Sequence, residues 1–375
     1  MTPRERGLAT ALFQTPDRIP LEPGWGRKST RERWIAEGMP ADTANPNELA
    51  YRLSGGTLPW PKGGEGFSID ERLRPQFEEK VIERNGDTQI VQDWKGNICE
   101  IGSEFTIEYL RNAIDFVTRR WIKCPVESRA DWNDLQKRYN ADDMGRFPED
   151  AAARGARLAN REHGVQWHFS GPFWVLREWL GFEQLCVAFL DEPAWVHEMI
   201  DFWCEYICGL LRNGLKFMTP DCVHFSEDMA YKAHPMIGVE MSREFLLPCW
   251  RKWGEIIRGA GVPVYAMDSD GFIDDLIPLW IEAGINQCDP MEVAAGTDLP
   301  ALRKRFGKSM AFFGGVDKRC IAKGGDSIAN ELARLRPVIE SGGYVPSCDH
   351  GVPSDISWPD YVRYVGLLAK ETGWL

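Results

Sequence analysis

The 375-residue chain has no run of about 18 apolar residues, so no membrane-spanning helix is expected. It also has no excess of positive charge. Its 44 Lys and Arg stand against 56 Asp and Glu, a net charge of −12. An acidic chain without a basic block is poorly suited to bind nucleic-acid phosphates or anionic lipid. Ten cysteines are present, but no Cys-x-x-Cys occurs and their spacing is irregular. That speaks against a disulfide framework or a zinc ribbon. There is no His-Glu-x-x-His, no Gly-x-Ser-x-Gly elbow, and no glycine-rich phosphate loop of either common type. Internal repeats and low-complexity tracts are absent as well. The opening residues lack the apolar stretch of a signal peptide, so a cytoplasmic location is the expectation.

What is present is a globular composition, with 43% hydrophobic and 27% charged residues. Sixteen tryptophans are a heavy load, and most are expected in the core or around a cavity. Residues 2–14 read as an amphipathic helix capped by Thr2, followed by a short buried strand in "DRIPLEPGWG". Residues 79–103 carry apolar runs around two turns, Asn85-Gly86 and Lys95-Gly96-Asn97, which predicts a β-meander.

From residue 149 strand and helix alternate. The runs "VQWHFSGP", "CVHFSED", "VPVYAMDSDG", "INQCDPME", "SMAFFGGVD" and "GYVPSCDHGVP" are each followed by a helical stretch. A helical region over 173–217 is interrupted near Gly181 and Pro193. This alternation predicts parallel strands with crossover helices. A doubly wound sheet also fits, but its phosphate-binding signatures are missing. The expected fold is therefore α/β: a (β/α)8 TIM-like barrel with an N-terminal β-meander and loop insertion. The expected organisation is one domain over 1–375, insertion-rich over 26–148 and regular over 149–375. Seven strands are countable, and an eighth is not evident.

A barrel gathers its functional groups on the loops after the strands. Those loops carry Glu227 and Asp228, then Asp268 and Asp270, then Asp289 and Glu292, then Asp317 and Lys318, then Cys348, Asp349 and His350. Each has a structural reading too. Asp268 or Asp270 would serve as a helix cap, Asp317 and Lys318 as an ion pair, and Asp349 as a support for the His350 ring. Cys348 and His350 lie two apart, so on an extended segment both point the same way. They fit either a metal site completed by neighbouring carboxylates or acid/base work by His350. His197-Glu198 lacks a second His at metal spacing, and Cys204 with Cys208 reads as core.

These residues resemble the uroporphyrinogen decarboxylase superfamily, which includes cobalamin-dependent methyltransferases. The opening "TPRERGLATALFQTPDRIPL" is similar to its N-terminal helix and first strand. "GDTQIVQDWKGN", "EDMAYKAHPMIGVEMSREFLLPCWRK" and "GGVDKRCIAKG" resemble the methyltransferase-like branch. "GGYVPSCDHGVPSDISWPDYVRYV" is similar to the C-terminal strand, loop and helix. The resemblance covers nearly the whole chain and implies a (β/α)8 barrel. The decarboxylases' Arg-rich segment after the first strand is replaced by "EPGWGRKSTRERW", which keeps only Arg27 and Arg31 nearby. That departure counts against a tetrapyrrole with many carboxylates. His350-Gly351-Val352 still resembles the decarboxylase loop. The zinc methyltransferases carry His-x-Cys where this chain has Asp268-Ser269-Asp270, and Cys348 is similar to their later Cys.

The resemblance therefore implies a metal-assisted methyltransferase acting on a small methylated substrate. Zinc or another divalent ion would be held by Cys348, His350, Glu292 and Asp268, an oxygen-rich set. Asp270, Glu227, Asp228 and Asp93 join His350 and Asp268 as candidate acid/base groups. Trp94, Trp25, Lys232 and Asp317 are candidate substrate contacts. No cobalamin-binding motif is present, so a corrinoid would arrive on a separate protein. The family also suggests a homodimer. The alternatives are a decarboxylase of uroporphyrinogen or a smaller carboxylate, with Asp93 steering protonation, and a non-catalytic binding barrel.

Overall fold

The computed structural model describes all 375 residues. The first helix, Pro3–Ala11, begins as its sequence predicts. Thr2 accepts from the Glu5 N–H, and the Glu5 carboxylate accepts from the Thr2 N–H.

The meander forms a four-stranded antiparallel sheet: β1 (Lys80–Asn85), β2 (Thr88–Gln92), β3 (Ile98–Gly102) and β4 (Arg120–Lys123). Gly86 and Gly96 take positive φ at its two turns. The fourth strand was not legible in the sequence, because all four of its residues are exposed and no alternation marks it. The sheet has a small core of its own, Val91, Cys99 and Ile101.

The second sheet has six parallel strands in chain order: β5 (Gln166–Ser170), β6 (Cys222–Ser226), β7 (Val264–Asp268), β8 (Gln287–Asp289), β9 (Ala311–Val316) and β10 (Tyr344–Cys348). Helices connect each strand to the next, and the main core runs from Leu21 to Trp374. Gly181, at φ +84°, separates helix Pro172–Leu180 from helix Phe182–Asp191. Pro193 then opens the long helix Pro193–Leu215. Cys204 and Cys208 are buried in that helix, and all ten cysteines are free thiols. No helix is long and apolar enough to cross a membrane.

The expected barrel of eight strands is corrected to an open sheet of six. The stretch read as a first strand lies beside β10 but makes no ladder with it. Pro20 and Pro23 have no N–H to give. The Cys348 N–H to Pro23 O bond (3.4 Å), the Val352 N–H to Trp25 O bond (2.8 Å) and an isolated parallel bridge between Gly26 and Val352 join it to the end of β10. At the opposite edge, residues around Glu71 lie beside β5. There the Ser170 N–H donates to the Glu71 carboxylate at 2.9 and 3.0 Å.

Two glycines test this packing. A Cβ on Gly314 (φ +100°) would stand 2.0 Å from the Pro290 carbonyl oxygen, while one on Gly7 would meet nothing within 4 Å. Gly314→Ala is expected to lower unfolding stability by about 3 kcal/mol. Gly7→Ala is expected to raise it by about 0.5 to 1 kcal/mol. Denaturant unfolding of both variants checks this.

Candidate active site

Two strands carry the same three residues. β5 ends His168-Phe169-Ser170 and β6 ends His224-Phe225-Ser226, and the sheet pairs them residue for residue. Side chains alternate along a strand, so each His and Ser turns to one face and each Phe to the other. Phe169 and Phe225 are fully buried under the helices. The His and Ser side chains face a cavity of about 830 Å3. The same register continues outward, with Ser226 beside Asp268 of β7 and Asp268 beside Asp289 of β8.

The cavity floor is one hydrogen-bonded row. His224 Nε2 lies 2.9 Å from Asp289 Oδ1 and 3.2 Å from Oδ2. His224 Nδ1 lies 2.9 Å from His168 Nδ1. His168 Nε2 lies 3.3 Å from Ser226 Oγ, which donates to Asp268 Oδ2 at 2.6 Å. Burial opposes a charge on His224, but the Asp289 carboxylate outweighs it and raises the pKa. Burial, and then the His224 charge, push His168 down to about 4. With His224 cationic and His168 neutral, every contact has a donor: His224 Nε2–H to Asp289, His224 Nδ1–H to His168, and His168 Nε2–H to Ser226. Asp268 is pushed up to about 7, first by burial and then by Asp289. It therefore exchanges a proton near neutral pH.

The rim stands above this floor. His350 Nδ1 lies 3.3 Å from Asp270 Oδ1, and the hydrogen bond to Asp270 raises the His350 pKa. The His350 ring stacks on exposed Phe116 at 6.3 Å, and the Arg27 guanidinium lies 3.8 Å from the Phe116 centroid. Asp228 sits at φ +43° and pairs with Arg177 at 3.0 Å, and burial raises its pKa. Trp25, Trp94, Trp174, Trp179 and Trp203 supply the apolar wall.

Seven of the residues chosen from sequence line this cavity: His350, Cys348, Asp268, Asp270, Asp228, Trp25 and Trp94. Five do not. Glu227 is fully buried and accepts from the Phe173 N–H, the Trp174 N–H and Trp250 Nε1. That ties the start of helix Pro172–Leu180 to the helix Leu247–Gly259, and burial pushes Glu227 up to about 8. Asp93 closes the meander turn by accepting from the N–H groups of Lys95 and Asn97. Asp317 caps helix Lys318–Lys323 and pairs with Arg319 at 2.8 Å, not with Lys318. Lys232 is exposed and outside the cavity lining. Glu292 accepts from the Gly271 N–H and pairs with Lys318 at 3.2 Å.

The four candidate metal ligands are not brought together. No group of three or more His, Cys, Asp or Glu side chains is arranged to hold an ion. Cys348 is buried, and burial pushes its thiol up to about 12. Asp349 does not orient His350. It accepts from the N–H groups of Lys318 and Val293, and Asp270 holds the ring instead.

His168, His224, Ser226, Glu22 and Glu71 line the cavity and were not chosen from sequence. The repeated His-Phe-Ser at the ends of two strands was the signal for the first three. Asp289, noted only as a loop carboxylate, sits in the floor row.

No family model matches the chain, and no curated protein matches it. Among solved structures, a methyltransferase from Methanosarcina mazei aligns over 99% of both chains, with TM-score 0.60 and 13% identity. The two share a fold. A B12-independent methionine synthase from Shewanella aligns over 60% of this chain and 65% of its own, with 14% identity. Its TM-score of 0.38 is too low to carry an argument.

The rim pair gives a spectroscopic test. Asp270→Asn removes the group that holds the His350 proton. The His350 pKa is expected to fall in that variant, read by NMR titration of the imidazole nitrogens. An unchanged value would mean the Asp270 contact does not form in solution.

Proposed function

We propose that the chain is a methyltransferase that holds a small methylated compound in this cavity and passes its methyl group to a corrinoid carried by a separate protein. The observation that carries the reading is the row of linked acids and bases on the floor of an aromatic-walled cavity. The shared fold with a methyltransferase supports it.

The chemistry asked of the chain is modest. A methyl group leaves an oxygen or nitrogen slowly because the departing atom carries negative charge. Asp268, holding a proton near pH 7, gives it to that atom as the carbon–heteroatom bond breaks. The heteroatom leaves with the bonding pair and that proton, and the acceptor's own electron pair forms the new bond to the methyl carbon. Ser226, His168 and His224 form the path that returns a proton to Asp268. When docked on its carrier, the corrinoid would supply a nucleophilic cobalt. Exposed Trp25 and Phe116 beside His350 give a flat macrocycle an apolar landing at the mouth. The wall tryptophans hold the substrate and exclude water.

The residues of the sequence-derived metal set do not fit a ligand shell as they stand, since Cys348 is a buried thiol and Glu292 is tied to Lys318. No step in this scheme runs through a metal.

The test is methyl transfer to free cob(I)alamin, followed by its absorbance, across a panel of small methoxy and N-methyl compounds. Turnover is expected with at least one class, and Asp268→Asn is expected to lower kcat roughly 100-fold or more. Because Asp268 acts as the acid, the rate is expected to fall as pH rises above about 7. No transfer with any donor, or release of CO2 from a carboxylate instead, contradicts the proposal.

A further inference from the structure

The β1–β4 meander packs around its own small core, apart from the main one. The chain is pinned where it enters and leaves this sheet, by the Phe77 N–H to Trp94 O bond (3.0 Å) and the Val126 N–H to Trp179 O bond (3.0 Å). Two further sets of contacts hold the sheet to the rest of the molecule. At the cavity mouth, the Ser29 N–H and hydroxyl donate to Asp115 at 2.7 and 3.1 Å, and Lys28 donates to the Tyr109 hydroxyl. In the cavity wall, Lys95 of the turn between β2 and β3 donates to Glu178 of helix Pro172–Leu180.

A second space lies between the meander and the helices, a cleft of about 1210 Å3. Residues Arg120–Lys123 of β4 line one bank, and Leu180, Phe182 and Val187 line the other. β4 is the outermost strand of its sheet, so no further strand fills the cleft. The cleft adjoins the substrate cavity, because Trp174, Glu178 and Asp228 line both. Asp228 is fixed by Arg177 at 3.0 Å. The Glu178 carboxylate has one partner, Lys95, and Lys95 pairs with no other acid. Both side chains are partly exposed, and such an ion pair is a weak tie that salt screens.

We propose that the Lys95–Glu178 pair is a latch on a side entrance: when it opens, the meander turn leaves Glu178, the cleft joins the cavity, and small molecules pass between them. The use of such an entrance rests on the transferase reading. A protein partner landing on Trp25 and Phe116 would cover the mouth, and the methyl donor and its product then need another route.

Cys348 reports on entry, because it is a free thiol that lines the cavity. Methyl methanethiosulfonate converts it to a mixed disulfide and releases methanesulfinate. The rate is read at fixed pH by mass spectrometry of the Cys348 peptide. Cys320, half-buried and outside both spaces, normalises the reagent. The charged groups acting on the Cys348 thiol are Asp349, Lys318 and Asp317, none of which the variants below alter.

Glu178→Gln breaks the latch and is expected to raise the normalised Cys348 rate roughly threefold or more. Raising KCl to about 1 M is expected to do the same in the wild-type chain, which keeps the test valid if the variant folds poorly. Val187→Trp narrows the cleft without touching the cavity or the latch, and is expected to lower the rate roughly threefold or more. A Cys348 rate unchanged by Glu178→Gln and by salt, or unchanged by Val187→Trp, means that entry is through the mouth and overturns the inference. Labelling needs no turnover, so its outcome is separate from that of the cob(I)alamin assay, which tests the transferase reading.

Discussion

The in-register pairing of β5, β6, β7 and β8 is the constraint on which the site depends. A shift of one residue in any of these strands would turn His168, His224, Asp268 or Asp289 into the helix layer and bring an apolar side chain to the cavity. Phe169 and Phe225 oppose that slip, because both are fully buried on the other face and Phe225 stacks on Trp253 at 4.2 Å. The packing that holds the helices to the sheet thus also sets the contacts of the floor.

That floor is held against its own electrostatics. Glu22, Glu71 and Asp268 are each pushed up to about 7 by burial. Between the ordinary carboxyl range and pH 7 the folded chain keeps protons that the unfolded chain has released. These groups therefore lower stability as pH rises through that window. Elsewhere the same kind of group has been put to structural use. Glu227 is fully buried, but three donors surround it and it ties two helices together. Asp349 links the turns after β8 and β9 through two backbone bonds. Glu227 and Asp349 spend their oxygens on backbone and ring N–H donors, whereas Asp268 takes a single bond, from the Ser226 hydroxyl.

Much of the fold was legible. Alternation from residue 149 gave all six parallel strands, and the breaks at Gly181 and Pro193 fall where the helices divide. The first strand was misread because its apolar spacing is right while Pro20 and Pro23 deny it a ladder. The site was half legible. Residues at the ends of strands, such as Asp268, Cys348 and His350, were found by position alone. His168 and His224 were passed over because they sit inside strands, where a lone His reads as a core residue. Only their equivalence in two paired strands marks them. Glu227, Asp317 and Glu292 were chosen for the same positional reason, but their hydrogen bonds are made to neighbouring backbone and cations. Nothing in a linear sequence shows which way such a carboxylate turns.

The central claim is that His224 and Asp268 act as parts of one proton-carrying row. A double-mutant cycle on methyl transfer, with His224→Ala, Asp268→Asn and the pair, tests it most directly. If the row works as a unit, each single change removes most of the rate and the double variant is little worse than either. Additive losses, or a His224→Ala variant with unchanged rate, would contradict the claim and leave Asp268 acting alone.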